Sequence, residues 1–350
     1  MSHSSEMGEL NPESPLKLSI VVVAYDMARE LPRTLQSLTP EYQVGVRPEE
    51  YEVLVVDNGS PTPLGEKLVH GYGPNFGYHY IQDAQPSPAD AVNTGVALTN
   101  GSIVCIMIDG ARMVTPGLVK FGLQAFRLYD DPVVGVLGWH LGPEKQQTSV
   151  RKGYNRIVED ELLARIDWPR DGYRLYEIAS LVDSSAEGWF SHAAESNALF
   201  MRRETFEGLG GYDLAFSEPG GELGNLDFYR RACEREGTTL VNLIGEGTFH
   251  QIHGGISSNP PGRKVHNQFQ EWAERYEKIR GRPYAHPEKE PVFLGTFPPQ
   301  ALRHMAASLN TYLAGRSEGS IKGYYAKLKS LIRSTVQSLL GVQWFGHGPC

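Results

Sequence analysis

Four groups of residues in this 350-residue sequence have types and spacing suited to chemistry. Asp57 closes an apolar run and is followed by Asn58-Gly59-Ser60. A carboxylate there can accept a hydrogen bond from a ring N–H, and the turn supplies backbone N–H groups; the alternative is an Asx-turn that merely closes the connection. Asp109 closes a second apolar run, with Arg112 three residues on. His250 and His253 lie three apart in a glycine-rich stretch. Neutral imidazole is a common ligand for Mn²⁺-type ions. Two residues three apart in an extended segment point to opposite faces, so one of the two is expected to reach a ligand, and His253 lies beside flexible glycines. Glu218, Glu222 and Asp227 are three carboxylates within one short loop-and-helix segment.

The elements that must position these groups can be read from hydrophobic pattern. Leu18–Ala24, Glu52–Asp57 and Ile103–Ile108 are continuous runs rich in β-branched residues, the pattern of strands covered on both faces. Tyr78–Ile81 and Val133–Trp139 are further strands, and helices are expected at Arg29–Leu38, Ala89–Leu98 and Gly117–Tyr129. This alternation predicts an α/β fold, a mostly parallel sheet flanked by helices. Ligands of such sheets lie beyond the carboxyl ends of the strands. Tyr25-Asp26, Asp57–Ser60 and Asp109–Arg112 all fall there. Later in the chain, strands are expected at Asn197–Met201 and Thr238–Ile244, and helices near Ile157–Ile166 and at Leu226–Glu236, Lys264–Arg280 and Pro299–Ala314.

Composition narrows the class. The chain is 40% hydrophobic and 21% charged, which excludes a mainly disordered or fibrous protein. A formal charge of −8 argues against a duplex nucleic-acid binder. The three cysteines form no CxxC pair, so neither a disulfide scaffold nor a structural zinc site is indicated. The apolar runs are too short to span a bilayer. The N-terminal stretch has no apolar centre, and a cytoplasmic location is expected.

The series SIVVVAYDMARELPRTLQSL, EVLVVDNGS, NTGVALTNGSIVCIMIDGA and FMRRETFEGLGGYD resembles the inverting glycosyltransferases of family 2, over roughly Lys17 to Ser257. The resemblance implies a GT-A fold, a Rossmann-like nucleotide-binding half joined to an acceptor half. It also implies transfer of a hexosyl-type sugar from a nucleotide diphosphate donor, a UDP-sugar first, to an acceptor hydroxyl in surface glycan or polysaccharide synthesis. On that reading residues 1–15 are a disordered tail and 16–140 the nucleotide-sugar half. Residues 141–260 are the acceptor half and 261–350 a helical extension.

The resemblance assigns the donor pocket to Ala24, Tyr25, Asp57, Asn58, Gly59, Asn93, Asp109 and Arg112, with Asp57 on the nucleobase. Tyr25 is equally readable as an ordinary rim aromatic. Family members usually carry Asp-x-Asp where this chain has Asp109-Gly110-Ala111, the second acid binding a divalent metal (Mn²⁺ or Mg²⁺) on the diphosphate. With Ala111 there, three outcomes stay open. Asp109 holds a metal with a distant histidine, His250 or His253; Arg112 replaces the metal; or catalysis is lost. The family's Glu-Asp pair falls on Gly224-Asn225, neither of which can act as a base. Asp227 is then the first candidate base, Glu222 the second and Glu218 the third, each alternatively a cap or a solvated acid. A non-catalytic nucleotide-sugar-binding protein on the same fold is the alternative function. Lys322, Lys327, Lys329 and Arg333 lie on a helical apolar pattern without acids. That 320–345 helix either packs on the domain or a second subunit, or touches an anionic membrane surface from the cytoplasmic side.

Overall fold

The computed structural model describes residues 17–191, 193–254 and 262–315. The expected N-terminal tail and the basic 320–345 helix lie outside the described residues. Among the described residues ten strands run in chain order: β1 Leu18–Ala24, β2 Tyr51–Asp57, β3 Phe76–Tyr80, β4 Ile103–Met107, β5 Arg112–Val114, β6 Pro132–Leu141, β7 Ala179–Leu181, β8 Leu199–Arg202, β9 Thr239–His250 and β10 Val292–Gly295. The helices are α1 Leu31–Gln36, α2 Glu66–His70, α3 Ala89–Ala97, α4 Leu118–Leu128, α5 Gln146–Arg151, α6 Arg156–Arg165, α7 Arg203–Gly208, α8 Gly224–Glu234, α9 Gly262–Arg280 and α10 Leu302–Gly315.

One sheet holds all the strands, in the order β10-β9-β6-β8-β4-β1-β2-β3, with β5 on β9 and β7 on β6. The pairs β4-β1, β1-β2 and β2-β3 are parallel, as the alternating pattern predicts. Strand β8 enters antiparallel between β4 and β6 and joins this half to the parallel trio β6-β9-β10. The expected α/β sheet flanked by helices is therefore the fold. β1 is buried at all seven positions, which explains its unbroken apolar run. Among the described residues, no helix is long and apolar enough to cross a membrane.

Both faces of the sheet are packed. Leu31, Leu35, Leu38, Leu118, Val119 and Leu123 cover one side. Val92, Val96, Phe228, Tyr229 and Ala232 cover the other, against Val21, Val23, Val56, Val104 and Ile106. Helix α3 approaches closest at Gly95, where an added Cβ would lie 2.4 Å from Val21 Cγ1 and 2.9 Å from Val56 Cγ2. Gly95→Ala is accordingly expected to destabilise the fold by about 1–3 kcal/mol through overpacking. Urea unfolding measures it; an unchanged midpoint would show that the helix can shift at no penalty.

Beyond the parallel half, Trp139, Tyr176, Trp189 and Phe249 form a third buried cluster. Strand β9 is interrupted there: Asn242 faces Gly135 and Gly247 faces Leu137, so extra residues bulge from β9. Gly245, at φ +78°, makes the bend. Glu246 sits in this bulge, fully buried. Its Oε1 accepts from the Tyr173 hydroxyl at 2.8 Å. Burial pushes its carboxyl up to about 7. With a folded value above the unfolded one, the protonated form is favoured in the fold. The associated stability is complete below the ordinary glutamate value and is lost as pH rises through about 7. Glu246→Gln is expected to raise stability at pH 8.5 relative to pH 5 by about 2–3 kcal/mol. Denaturant unfolding at the two pH values reads this directly, and equal effects at both would contradict it.

Candidate functional site

The carboxyl end of β4 delivers Asp109 to the sheet edge. Its Oδ1 accepts from the Ala111 N–H at 3.0 Å and its Oδ2 from Arg112 Nε at 3.1 Å. The chain then turns back as β5, antiparallel to β9, with Arg112 opposite His250. Ala111 is fully buried and its carbonyl accepts the Gln251 N–H. The position that would carry a second acid thus faces protein.

His250 is the last residue of β9, and the chain leaves the strand after it. This changes the expectation for the two histidines. His253 folds back instead of continuing the strand alternation, and the two Nε2 atoms lie 3.0 Å apart. His250 Nε2 is 3.2 Å from Asp109 Oδ2, and His253 Nε2 is 3.8 Å from Asp109 Oδ1. One ligand atom from each of the three residues falls within 4.8 Å of the others. Both imidazoles, not one, reach the same point.

The charge states suit a cation there. Burial opposes ionisation of Asp109, but the facing His250, Arg112 and His253 outweigh it and hold the carboxyl well below the usual carboxylate range. Burial drives His250 down to about 4, against the opposing pull of Asp109. His250 Nδ1 lies 2.8 Å from Gln146 Oε1; in the tautomer that donates there, Nε2 offers its lone pair toward Asp109 and His253. A carboxylate and two imidazole nitrogens at this spacing share either a proton or a cation. The donor set, one carboxylate and two imidazoles, suits a divalent ion of the Mn²⁺ type.

Surrounding groups fix the ligands. The Ile252 N–H donates to Glu159 Oε2 at 2.8 Å, and the Ile252 carbonyl accepts from Arg29 Nη1 at 3.3 Å. Arg29 also donates to Glu159 Oε1 at 3.2 Å, and the Tyr154 hydroxyl to Glu159 Oε2 at 3.0 Å. Residues ahead of α1 and on α6 therefore grip the peptide between the two histidines. His140, opposite His250 in the β6–β9 register, is buried, with its Nδ1 unpartnered. Arg112 Nη1 is likewise buried without a partner. Gln146, Glu159, Arg29 and His140 were not singled out from sequence, because each touches the site only through β9 or its extension.

The donor-side residues are brought to the same edge but are used differently from the sequence reading. Asp57 is 2% exposed: Oδ1 accepts from the Ser60 N–H and Oδ2 from the Tyr78 hydroxyl, both at 2.8 Å. It closes the turn after β2, the Asx alternative, and presents no open face to a nucleobase. Asn58 donates from Nδ2 to the Gln85 carbonyl, and its own N–H to the Ala24 carbonyl. Gly59, at φ +77°, packs where a Cβ would meet Ala84 Cβ at 2.8 Å. Asn93, read as bordering the donor, instead clamps the Tyr212 peptide, donating to its carbonyl and accepting its N–H at 2.9 Å each. Tyr25 is 56% exposed on the rim. Arg112 spends its Nε on Asp109.

The candidate bases are also committed elsewhere. Asp227 accepts from Arg231 Nε at 2.8 Å and from Arg280 Nε and Nη2 at 2.7 and 2.6 Å. Burial alone would raise its carboxyl, but these two arginines lower it. Its carboxylate is a strut between α8 and α9, not a group open to a hydroxyl. Glu222 lies in a left-handed turn, φ 53°, and pairs with Arg275 at 3.1 Å. Glu218 pairs with Arg275 at 2.9 Å.

Residues 19–180 match the family profile described as glycosyl transferase family 2. The chain carries a family 2 glycosyltransferase domain. The matched segment of that domain holds Asp57, Asp109 and Arg112 and ends before both histidines. Among solved structures, the mannosyltransferase PcManGT from Pyrobaculum calidifontis, in complex with GDP-Man and Mn²⁺, is similar over 93% of this chain and 82% of its own, at 16% identity and a TM-score of 0.45. S. aureus TarS 1-349 in complex with UDP-GlcNAc is similar over 75% of this chain and 67% of its own, at 13% identity and a TM-score of 0.47. A further structure of S. aureus TarS is similar over 75% of this chain at 12% identity and a TM-score of 0.46, and there this chain spans 44% of the other's length. No curated protein sequence matches the chain.

Proposed function

We propose that the protein transfers a sugar from a nucleoside diphosphate donor, UDP-sugars first, to an acceptor hydroxyl with inversion, in the synthesis of a surface glycan or polysaccharide. One observation carries this reading: within a family 2 domain, Asp109, His250 and His253 converge at the carboxyl end of the sheet. Those three residues would hold Mn²⁺ or Mg²⁺, and the two imidazoles favour Mn²⁺. Such an ion, when bound, neutralises charge on a departing diphosphate. Arg112 orients the Asp109 carboxylate and keeps it ionised, while Gln146 fixes the His250 ring so that Nε2 points inward. Tyr25 and the turn at Asp26, whose N–H donates to Ser60 Oγ, form the rim beside this point.

Calorimetry with UDP-, GDP- and TDP-sugars, with Mn²⁺ and then with EDTA, tests the proposal, together with slow donor hydrolysis. Metal-dependent binding of one donor class and its turnover are expected. No binding and no hydrolysis of any donor would overturn it. The engagement of Asp227 and Glu222 by arginines favours, as a second reading, a protein that binds the donor without turning it over. Binding without hydrolysis or transfer would select that reading.

A further inference from the structure

We propose that Glu195 is the carboxylate that takes the proton from the acceptor hydroxyl. This rests on the transfer reading above, in which attack by a hydroxyl at an anomeric carbon needs a carboxylate on the acceptor side.

The argument begins with what the other acids do. Every acid from Asp213 to Asp227 is paired with an arginine: Asp213 and Asp227 with Arg280, Glu218 and Glu222 with Arg275. Burial would raise the Asp213 and Asp227 carboxyls, but their hydrogen bonds, those from Arg280 included, bring both below the usual value. Arg275 takes one oxygen each of Glu218 and Glu222. Glu195 is held differently. Its Oε1 accepts from Ser184 Oγ at 2.9 Å and its Oε2 from Asn225 Nδ2 at 2.6 Å. Both donors are neutral, and among the described residues no arginine or lysine pairs with it. Each oxygen keeps a second lone pair. The side chain is half-buried, so it is fixed and still reachable.

Its place in the sheet points to the same edge as Asp109. Strand β8 runs antiparallel to β4, with Leu199 opposite Ile106. That pair is the last of the ladder; ahead of it Ser196 Oγ accepts from the Val136 N–H of β6, so Glu195 leads into β8 at the end of the sheet where β4 delivers Asp109. Its tethers extend the connection. Asn225 Oδ1 accepts from the Tyr212 hydroxyl, and Asn93 of α3 clamps the Tyr212 peptide. On the other side Ser184 adjoins Ser185, whose Oγ accepts the Gly138 N–H. A Cβ placed at Gly138 would lie 3.8 Å from that Oγ and 3.7 Å from Arg112 Nη1. The wall that anchors Glu195 is thus shared with the Arg112–Asp109 pair.

In the step proposed, the acceptor O–H proton moves to a Glu195 oxygen while the acceptor oxygen forms its bond to the anomeric carbon. The bond from that carbon to the diphosphate oxygen breaks, and the electron pair leaves with the nucleoside diphosphate. The test uses the full chain with Mn²⁺, the UDP-, GDP- and TDP-sugar panel as donors and p-nitrophenyl hexosides as acceptors. Glu195→Gln preserves size and one acceptor oxygen. It is expected to lower kcat by about 10²–10⁴-fold. Donor affinity by calorimetry is expected to stay within about threefold. Glu195→Asp, which keeps the carboxylate, is expected to recover part of the rate. A Glu195→Gln enzyme retaining more than about a tenth of wild-type kcat would overturn the proposal and leave the transfer reading intact. A loss of donor affinity in step with kcat, unrepaired by aspartate, would also overturn it, by showing a purely structural role. A wild type that transfers nothing from any donor would remove the transfer reading and this proposal together.

Discussion

Replacing Asp109 by asparagine is expected to weaken Mn²⁺ binding by at least about tenfold and donor turnover by about 10³-fold. The reason is electrostatic. Asp109 is the one anionic ligand of the cluster, and both imidazoles converge on its two oxygens. An amide keeps the shape but supplies no charge, and it leaves the buried Arg112 guanidinium without its counter-ion. Free Mn²⁺ can be followed by electron paramagnetic resonance during titration, independently of any turnover. Unaltered Mn²⁺ affinity in Asp109→Asn would exclude the cluster as the ion site. His250→Ala is expected to behave in the same direction, with a smaller loss, because His253 and Asp109 remain.

Asp227→Ala is expected to lower global stability by about 3–5 kcal/mol. Its carboxylate is 3% exposed and receives three guanidinium hydrogen bonds, with a fourth contact from the Tyr276 hydroxyl at 3.3 Å. Deleting it leaves the partly buried Arg231 at the α8–α9 junction with two backbone carbonyls and no carboxylate. Arg280 would retain only Asp213, at 2.6 Å. Donor turnover per folded molecule is expected to change little. Denaturant unfolding and active-site-normalised rates separate the two effects. A large rate loss at unchanged stability would restore Asp227 as a base and contradict the strut described above.

The sequence made the parallel half of the sheet legible because β1 and β4 are buried at every position and β2 at most of its own, so that they read as apolar runs. Strands β5, β7 and β10 escaped notice because three or four residues carry no period. The end of β9 escaped for a different reason. Gly245 and Glu246 interrupt its apolar pattern at Ile244, yet the strand resumes after the bulge and runs on to His250. Asp109, His250 and His253 could be picked by residue type. One histidine beside Asp109 was expected; the arrival of both was not, since it depends on β5 folding back against β9 and on the chain leaving the strand after His250. Asp57, Asn93 and Asp227 have intramolecular partners that the sequence did not show. Each has a polar side chain at a suggestive position, and each is absorbed by a turn, a peptide clamp or an arginine pair. Glu195 gave no signal at all, since a single acid ahead of a short strand has no pattern to stand out from.

The grip on Ile252 carries a genetic implication. Arg29 and Glu159 are separated by well over a hundred positions, and neither approaches the ion cluster in sequence, yet they hold the N–H and carbonyl of one residue between its two imidazoles. Lesions that impair ion retention would therefore map to three scattered stretches of the gene. Suppressors of an Arg29 defect would arise near Glu159 or beside Ile252, far from the original change.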